Sequence, residues 1–244
     1  MTDDLKKWLH KLRIHDCAGC PDVVALQEKK NIQVAPLFWQ GSGRGEKRTP
    51  LVFLGGNPSV VKSPNEPKRG GDFDIWFDYY YNRDQSERDG GITLPYWEKC
   101  KDYASWIFPG VAVKPWRDYV LLETTHCFFN SEGDLDAPVL RKVSRECFDR
   151  HTYWMIKKLK PLGIIIFGDV AWDTFRGRFG AINGLKRNQC TSINLHDFKT
   201  VVMRFYHPSR YANKNPRPDD EVYKEFGRTI QEIQLQSVKE SDDN

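Results

Sequence analysis

Two short segments, far apart in the chain, carry residue types that could do chemistry together: Gly55-Gly56-Asn57-Pro58-Ser59 and His207-Pro208-Ser209. The first follows the apolar run Leu51-Val52-Phe53-Leu54; the second follows Val201-Val202-Met203-Arg204-Phe205-Tyr206. Each motif therefore sits where a buried parallel strand would end and a loop begin, which is where open α/β sheets hold their ligands. An asparagine amide and an imidazole brought together there can orient a water molecule and donate a hydrogen bond to a departing anionic base. The plainer alternative is that Asn57 shapes a turn and His207 caps a helix. A second, independent signal is the cysteine set Cys17, Cys20, Cys127 and Cys147, which opens with Cys-x-x-Cys-Pro.

The elements that must position these groups are legible as apolar periodicity. Runs at 51–54, 119–122, 163–167 and 200–205 read as short buried strands. Helical spacing marks 3–13, 94–107, a stretch through Phe148, Trp154, Ile156 and Leu159 that Pro161 ends, a segment from Asp169, and 219–236. This alternation predicts an α/β protein, a three-layer αβα sandwich around a four-stranded, mostly parallel sheet. The chain of 244 residues fits one domain over 1–236, with an aromatic-rich insertion or lid over 58–115 and a disordered tail over 237–244.

Composition narrows the setting. Hydrophobic residues are 39%, so the core must be small relative to the polar surface; the net charge of +4 permits nucleic-acid binding without requiring it. No apolar run approaches a membrane span, and the N-terminal residues lack a signal core. The expected location is the cytoplasm, with no membrane association. In that reducing compartment the six cysteines read as metal ligands and free thiols rather than disulfides.

The strand-Gly-Gly-Asn-Pro-Ser and His-Pro-Ser motifs, in this order and with cysteines before and between them, resemble the uracil-DNA glycosylase superfamily. The resemblance runs from about Cys17 to Asn213 and is carried by the motifs. It implies an enzyme that flips a pyrimidine out of DNA and hydrolyses its N-glycosidic bond. Asn57 would orient the attacking water and His207 would donate to the base O2 as negative charge collects there. Gly55 and Gly56 would let the backbone approach the base. Ser59 and Ser209 would contact phosphates, and Arg210 with Tyr211 would form a wedge filling the gap left by the flipped base. Phe73 would stack on the base, with Trp76 and Phe77 as competitors. The cysteine quartet looks like the ligand set of that superfamily's iron–sulfur branches, implying a structural [4Fe–4S] cluster; a zinc site is the alternative.

One position departs from the family pattern. Four residues before Cys127, where the family places a base-reading asparagine, this chain has Glu123. An ionised glutamate only accepts hydrogen bonds and would repel uracil O4, whereas cytosine offers an amino donor at N4. A protonated Glu123 could donate to N3 and accept from N4. The expectation is a monofunctional, monomeric DNA glycosylase acting on a cytosine-type or modified cytosine base, in repair or in defence against phage DNA carrying hypermodified cytosine. Glu123 could instead lie outside the pocket, in register with Thr124 or Thr125. The competing functions are a uracil-excising repair glycosylase, an inactive damaged-DNA-binding module, and a zinc-stabilised hydrolase of nucleosides or RNA.

Overall fold

Five-residue apolar runs such as Leu51-Val52-Phe53-Leu54-Gly55 and Gly163-Ile164-Ile165-Ile166-Phe167 are too short for a helix and apolar on both faces, so they can only be strands buried on both sides. The computed structural model describes residues 50–56, 95–113, 118–125, 137–208, 214–217 and 220–242. In it, β1 (Leu51–Gly55) is followed by α1 (Pro95–Ile107), β2 (Tyr119–Glu123) and α2 (Ala137–Cys147). A π-helical turn (Phe148–Thr152) joins α2 to α3 (Tyr153–Leu159), then come β3 (Gly163–Phe167) and α4 (Gly168–Arg178). The chain closes with the hairpin β4 (Cys190–Leu195) and β5 (Phe198–Phe205), and with α5 (Glu221–Asp242).

The sheet order is β2-β1-β3-β5-β4. The first four strands run parallel; β4 pairs antiparallel with β5 at the edge. The fold class is therefore α/β with a mixed, mostly parallel sheet of five strands, which corrects the expected four. The missed strand is an edge strand in which only Ile193 and Leu195 are buried, so it lacks the continuous apolar run that marks the other strands. α5 also continues to Asp242, beyond the 236 expected from the sequence.

Helices cover both faces of the sheet. On one face α1 and α5 pack over Leu51, Phe53, Leu121, Ile165 and Met203. On the other, the π-turn, α3 and α4 cover Val52, Leu54, Val120, Ile164 and Val202. Each such fully buried side chain contributes about 1.5–3 kcal/mol of transfer free energy. The chain leaves β1 towards β2 through the α1 face and leaves β3 towards β5 through the α4 face. The direction of winding thus reverses between β1 and β3, and a reversal of this kind opens a crevice at the carboxyl ends of those strands.

Candidate functional site

The carboxyl ends of the parallel strands bring together four residues that the motifs singled out: Gly55, Gly56, Glu123 and His207. Gly55 pairs with Glu123 across β1 and β2. The pairing continues past the strands, because the Thr124 and Thr125 amides donate to the Gly55 and Gly56 carbonyls at 2.9 Å each. The Thr124 hydroxyl also donates to the Gly56 carbonyl at 2.8 Å. From the opposite face, Thr152 Oγ1 in the π-turn donates to the Glu123 carbonyl at 2.7 Å, and Thr125 Oγ1 shares a 2.8 Å hydrogen bond with Ser144 Oγ. The backbone carrying Glu123 is held from three elements.

The Glu123 side chain lies on the α1 face and is 7% exposed. It occupies the space that a side chain at Gly55 would need: an ideal Cβ there would coincide with the carboxyl, whose Cδ and Oε1 lie at 2.8 Å. Glycine is required at 55 for this close approach. Glu123 Oε2 is buried without a hydrogen-bond partner among the described residues. Burial alone pushes the carboxyl up to about 8, so at neutral pH it is mostly the neutral acid.

His207 follows β5. Its imidazole stacks on the Tyr96 ring of α1, with centroids 5.5 Å apart and planes 16° from parallel. Tyr96 also meets Phe167 at the end of β3, edge to face at 5.9 Å. The two motif-bearing ends approach one corner, the β3–α4 junction. A Cβ on Gly56 would sit 3.6 Å from Val170 Cβ, and one on Gly168 would sit 3.7 Å from His207 Cβ. One strand, β3, separates β1 from β5, so the motif ends are about 10 Å apart, two strand spacings.

Asn215 fixes the approach to His207. Its Oδ1 accepts from the Tyr206 amide at 2.8 Å, while Nδ2 donates to the Tyr206 carbonyl at 3.0 Å and to Tyr103 Oη at 2.9 Å. A buried amide thus brackets one residue of the loop and ties it to α1. Beside it lies a cationic cluster. Arg187 and Arg204 both donate to Asp169 Oδ1, the latter at 2.9 Å. Arg187 lies over the Tyr206 ring at 4.4 Å, Arg204 over Trp172 at 4.7 Å, and Lys214 Nζ is 5.6 Å from Tyr206. Two arginines share one carboxylate on the same edge as His207, and Lys214 joins them at the Tyr206 ring.

Tyr96, Cys100, Asn215 and the arginines were not singled out by motif. For Tyr96 a signal existed: Tyr96, Cys100, Tyr103 and Ile107 recur at i, i+4, i+7 and i+11, the spacing of one buried helix face. Nothing local marks Asn215 or Arg204.

The remaining expected site residues, Asn57, Ser59, Phe73, Ser209, Arg210 and Tyr211, lie outside the described residues, as do Cys17, Cys20 and Cys127. Cys147, at the end of α2, is described and buried. Among the described residues no group of three or more His, Cys, Asp or Glu is placed to hold a metal ion. No helix among them is long and apolar enough to cross a membrane. Compared with known proteins, the chain matches no family model and no curated sequence is significantly similar to it.

Proposed function

We propose that the protein is a monofunctional DNA glycosylase of the uracil-DNA glycosylase type, hydrolysing the N-glycosidic bond of a flipped pyrimidine, a modified cytosine rather than plain uracil. The observation that carries the reading is that Tyr96 has His207 stacked on its ring and Glu123 near its hydroxyl, with Gly55 packed against the Glu123 carboxyl, at the carboxyl edge of the sheet. A buried neutral acid beside a half-buried imidazole suits the recognition of an uncharged planar base better than that of an ionic substrate.

In this reading Glu123 donates to N3 and accepts from the N4 amino group. His207 donates to O2 as the bond to the sugar breaks, and Asn57 orients the water that attacks the sugar. A carboxylic acid can exchange roles, giving its proton to uracil O4 and accepting from N3–H, which makes uracil the competing substrate. Ser59, Ser209 and the Arg187–Arg204–Lys214 cluster supply phosphate contacts, Arg210 and Tyr211 the wedge, and Phe73 the stacking ring. No lysine lies in either loop motif, so strand cleavage through a Schiff base is not expected. The protein acts as a monomer in the cytoplasm, in base-excision repair or in defence against DNA carrying hypermodified cytosine.

Cys17, Cys20, Cys127 and Cys147 would hold a [4Fe–4S] cluster, which supplies structural cross-linking of the N-terminal segment and no step of the hydrolysis. Buried Cys147 suits a thiolate ligand shielded from solvent. Purified protein is expected to contain iron and acid-labile sulfide; a colourless protein loaded with zinc would replace the cluster with a zinc site.

The deciding experiment incubates the protein with oligonucleotides containing uracil, cytosine, 5-hydroxymethylcytosine or glucosylated 5-hydroxymethylcytosine, and detects free base by mass. A modified cytosine is expected to be released fastest. Asn57→Ala should slow every substrate roughly 100-fold or more, and Glu123→Gln should reorder the substrates. Release of uracil alone would refute the cytosine reading. Tight DNA binding without release of any base would leave a binding module.

A further inference from the structure

Two buried polar atoms at this site lack a hydrogen-bond partner among the described residues, and they belong to neighbouring side chains: Glu123 Oε2 on β2 and Tyr96 Oη on α1. Buried orphans of this kind are uncommon in folded proteins, because each costs the desolvation of a group that water would have satisfied. Tyr96 Oη lies beside the Cys100 thiol without a hydrogen bond of regular geometry. Its ring is already committed, one face to His207 and an edge-to-face contact to Phe167. The hydroxyl is thereby fixed in direction, with the weakly bonding Cys100 thiol as its neighbour and no partner of regular geometry among the described residues.

The groups facing the Glu123 carboxyl are accounted for element by element. α1 contributes the Tyr96 phenol and the Cys100 thiol, β1 contributes Gly55 with no charge, and the loop after β5 contributes His207 across the Tyr96 ring. Among the described residues no cation pairs with the carboxyl. Burial above all raises Tyr96 and Cys100 well above their ordinary values, so both stay protonated across the neutral range.

We propose that Tyr96 is a second base-reading residue: its hydroxyl and the Glu123 carboxyl together take the hydrogen-bonding edge of an uncharged pyrimidine, while its ring holds His207 in plane. This rests on the reading of the edge as a base pocket. It adds a residue that no motif indicates and assigns its two ends separate duties. The hydroxyl selects the base, and the ring positions the imidazole. The class of ligand follows from the pair: a planar, neutral heterocycle with adjacent donor and acceptor atoms.

The test titrates the full-length protein with free cytosine and with free uracil, read by amide chemical shifts, and separately follows the His207 imidazole through a pH titration. Tyr96→Phe, which keeps the ring, is expected to weaken binding of the preferred base roughly tenfold and to leave the His207 midpoint unchanged. Tyr96→Leu is expected to weaken binding and to move that midpoint as well. Glu123→Gln should change which base is preferred. If Tyr96→Phe binds both bases as the wild type does, or if neither base perturbs any resonance, the inference is overturned. Its failure is separable from that of the glycosylase reading. The glycosylase reading fails when no oligonucleotide releases a base although free base still binds; this one fails when release proceeds and the phenol is dispensable for binding.

Discussion

A carboxyl packed onto a glycine, with one oxygen unpartnered, is stable only while it carries its proton. Glu123 has an ordinary value of 4.5 and is pushed up to about 8 by burial. The folded state therefore keeps a proton that the unfolded chain has lost between these limits. The stability attached to the neutral acid is complete below 4.5 and drains away as pH rises to about 8. Glu123→Gln removes the titration while keeping the shape. The wild type is expected to lose thermal stability relative to Glu123→Gln as pH rises from about 5 to about 8, by up to a few kcal/mol, with the two converging in acid. Melting temperatures of both proteins across that range check it, and parallel curves would mean that the carboxyl is already ionised at pH 5. On the proposed function this instability has a use, since a bound neutral base would supply the missing partner.

At the scale of elements, the helices hold the site by contacts closer than side chains normally allow. α1 carries Tyr96, Cys100 and Tyr103, and α5 presses on it through Gly227, where a Cβ would lie 2.6 Å from the Ile107 carbonyl oxygen. That obstacle is backbone and cannot rotate away. Gly227→Ala is therefore expected to destabilise the protein by about 1–3 kcal/mol despite its better helix propensity, measured as a fall in the denaturation midpoint. An unchanged midpoint would mean that the α1–α5 contact relaxes freely. The π-turn after Cys147 does comparable work on the other face, since Thr152 within it reaches the Glu123 carbonyl. The parallel strands were legible because burial on both faces leaves continuous Leu, Val, Ile and Phe runs. β4 was not, because Cys190-Thr191-Ser192-Ile193-Asn194-Leu195 is half exposed and its turn, His196-Asp197, lacks the usual glycine. Among site residues, Gly55, Gly56, Glu123 and His207 were legible because each sits at or next to a strand end. Helical spacing marks the buried face that carries Tyr96 but not its stacking on His207, and Asn215 acts through packing between distant segments, which local sequence does not record.

For the molecule as a whole, a net charge of +4 on 244 residues gives too weak a general field to draw in a polyanion. On the proposed function, affinity for DNA would have to come from cations gathered near the crevice. Arg187, Arg204 and Lys214 are so gathered, on the edge where β5 ends, with Asp169 offsetting one of their three charges. The winding reversal between β1 and β3 puts the Glu123 carboxyl on one flank of the crevice and this cluster on the other, so a DNA strand bound as proposed could meet both. Arg187 is the member to remove, since Arg204 is 18% exposed and leans on the buried Trp172. Arg187→Ala is expected to weaken binding to all oligonucleotides alike, whatever base they carry. It should reduce the steepness of log affinity against log salt by about 1, as loss of one phosphate contact does. Asp169→Asn, which unmasks the same cluster, is expected to act in the opposite direction and tighten binding at low salt. Salt titrations of the three proteins by fluorescence anisotropy decide between the alternatives. A slope unchanged in Arg187→Ala would assign the cluster to bracing Tyr206 and the His207 loop, and the DNA path would have to cross the edge elsewhere.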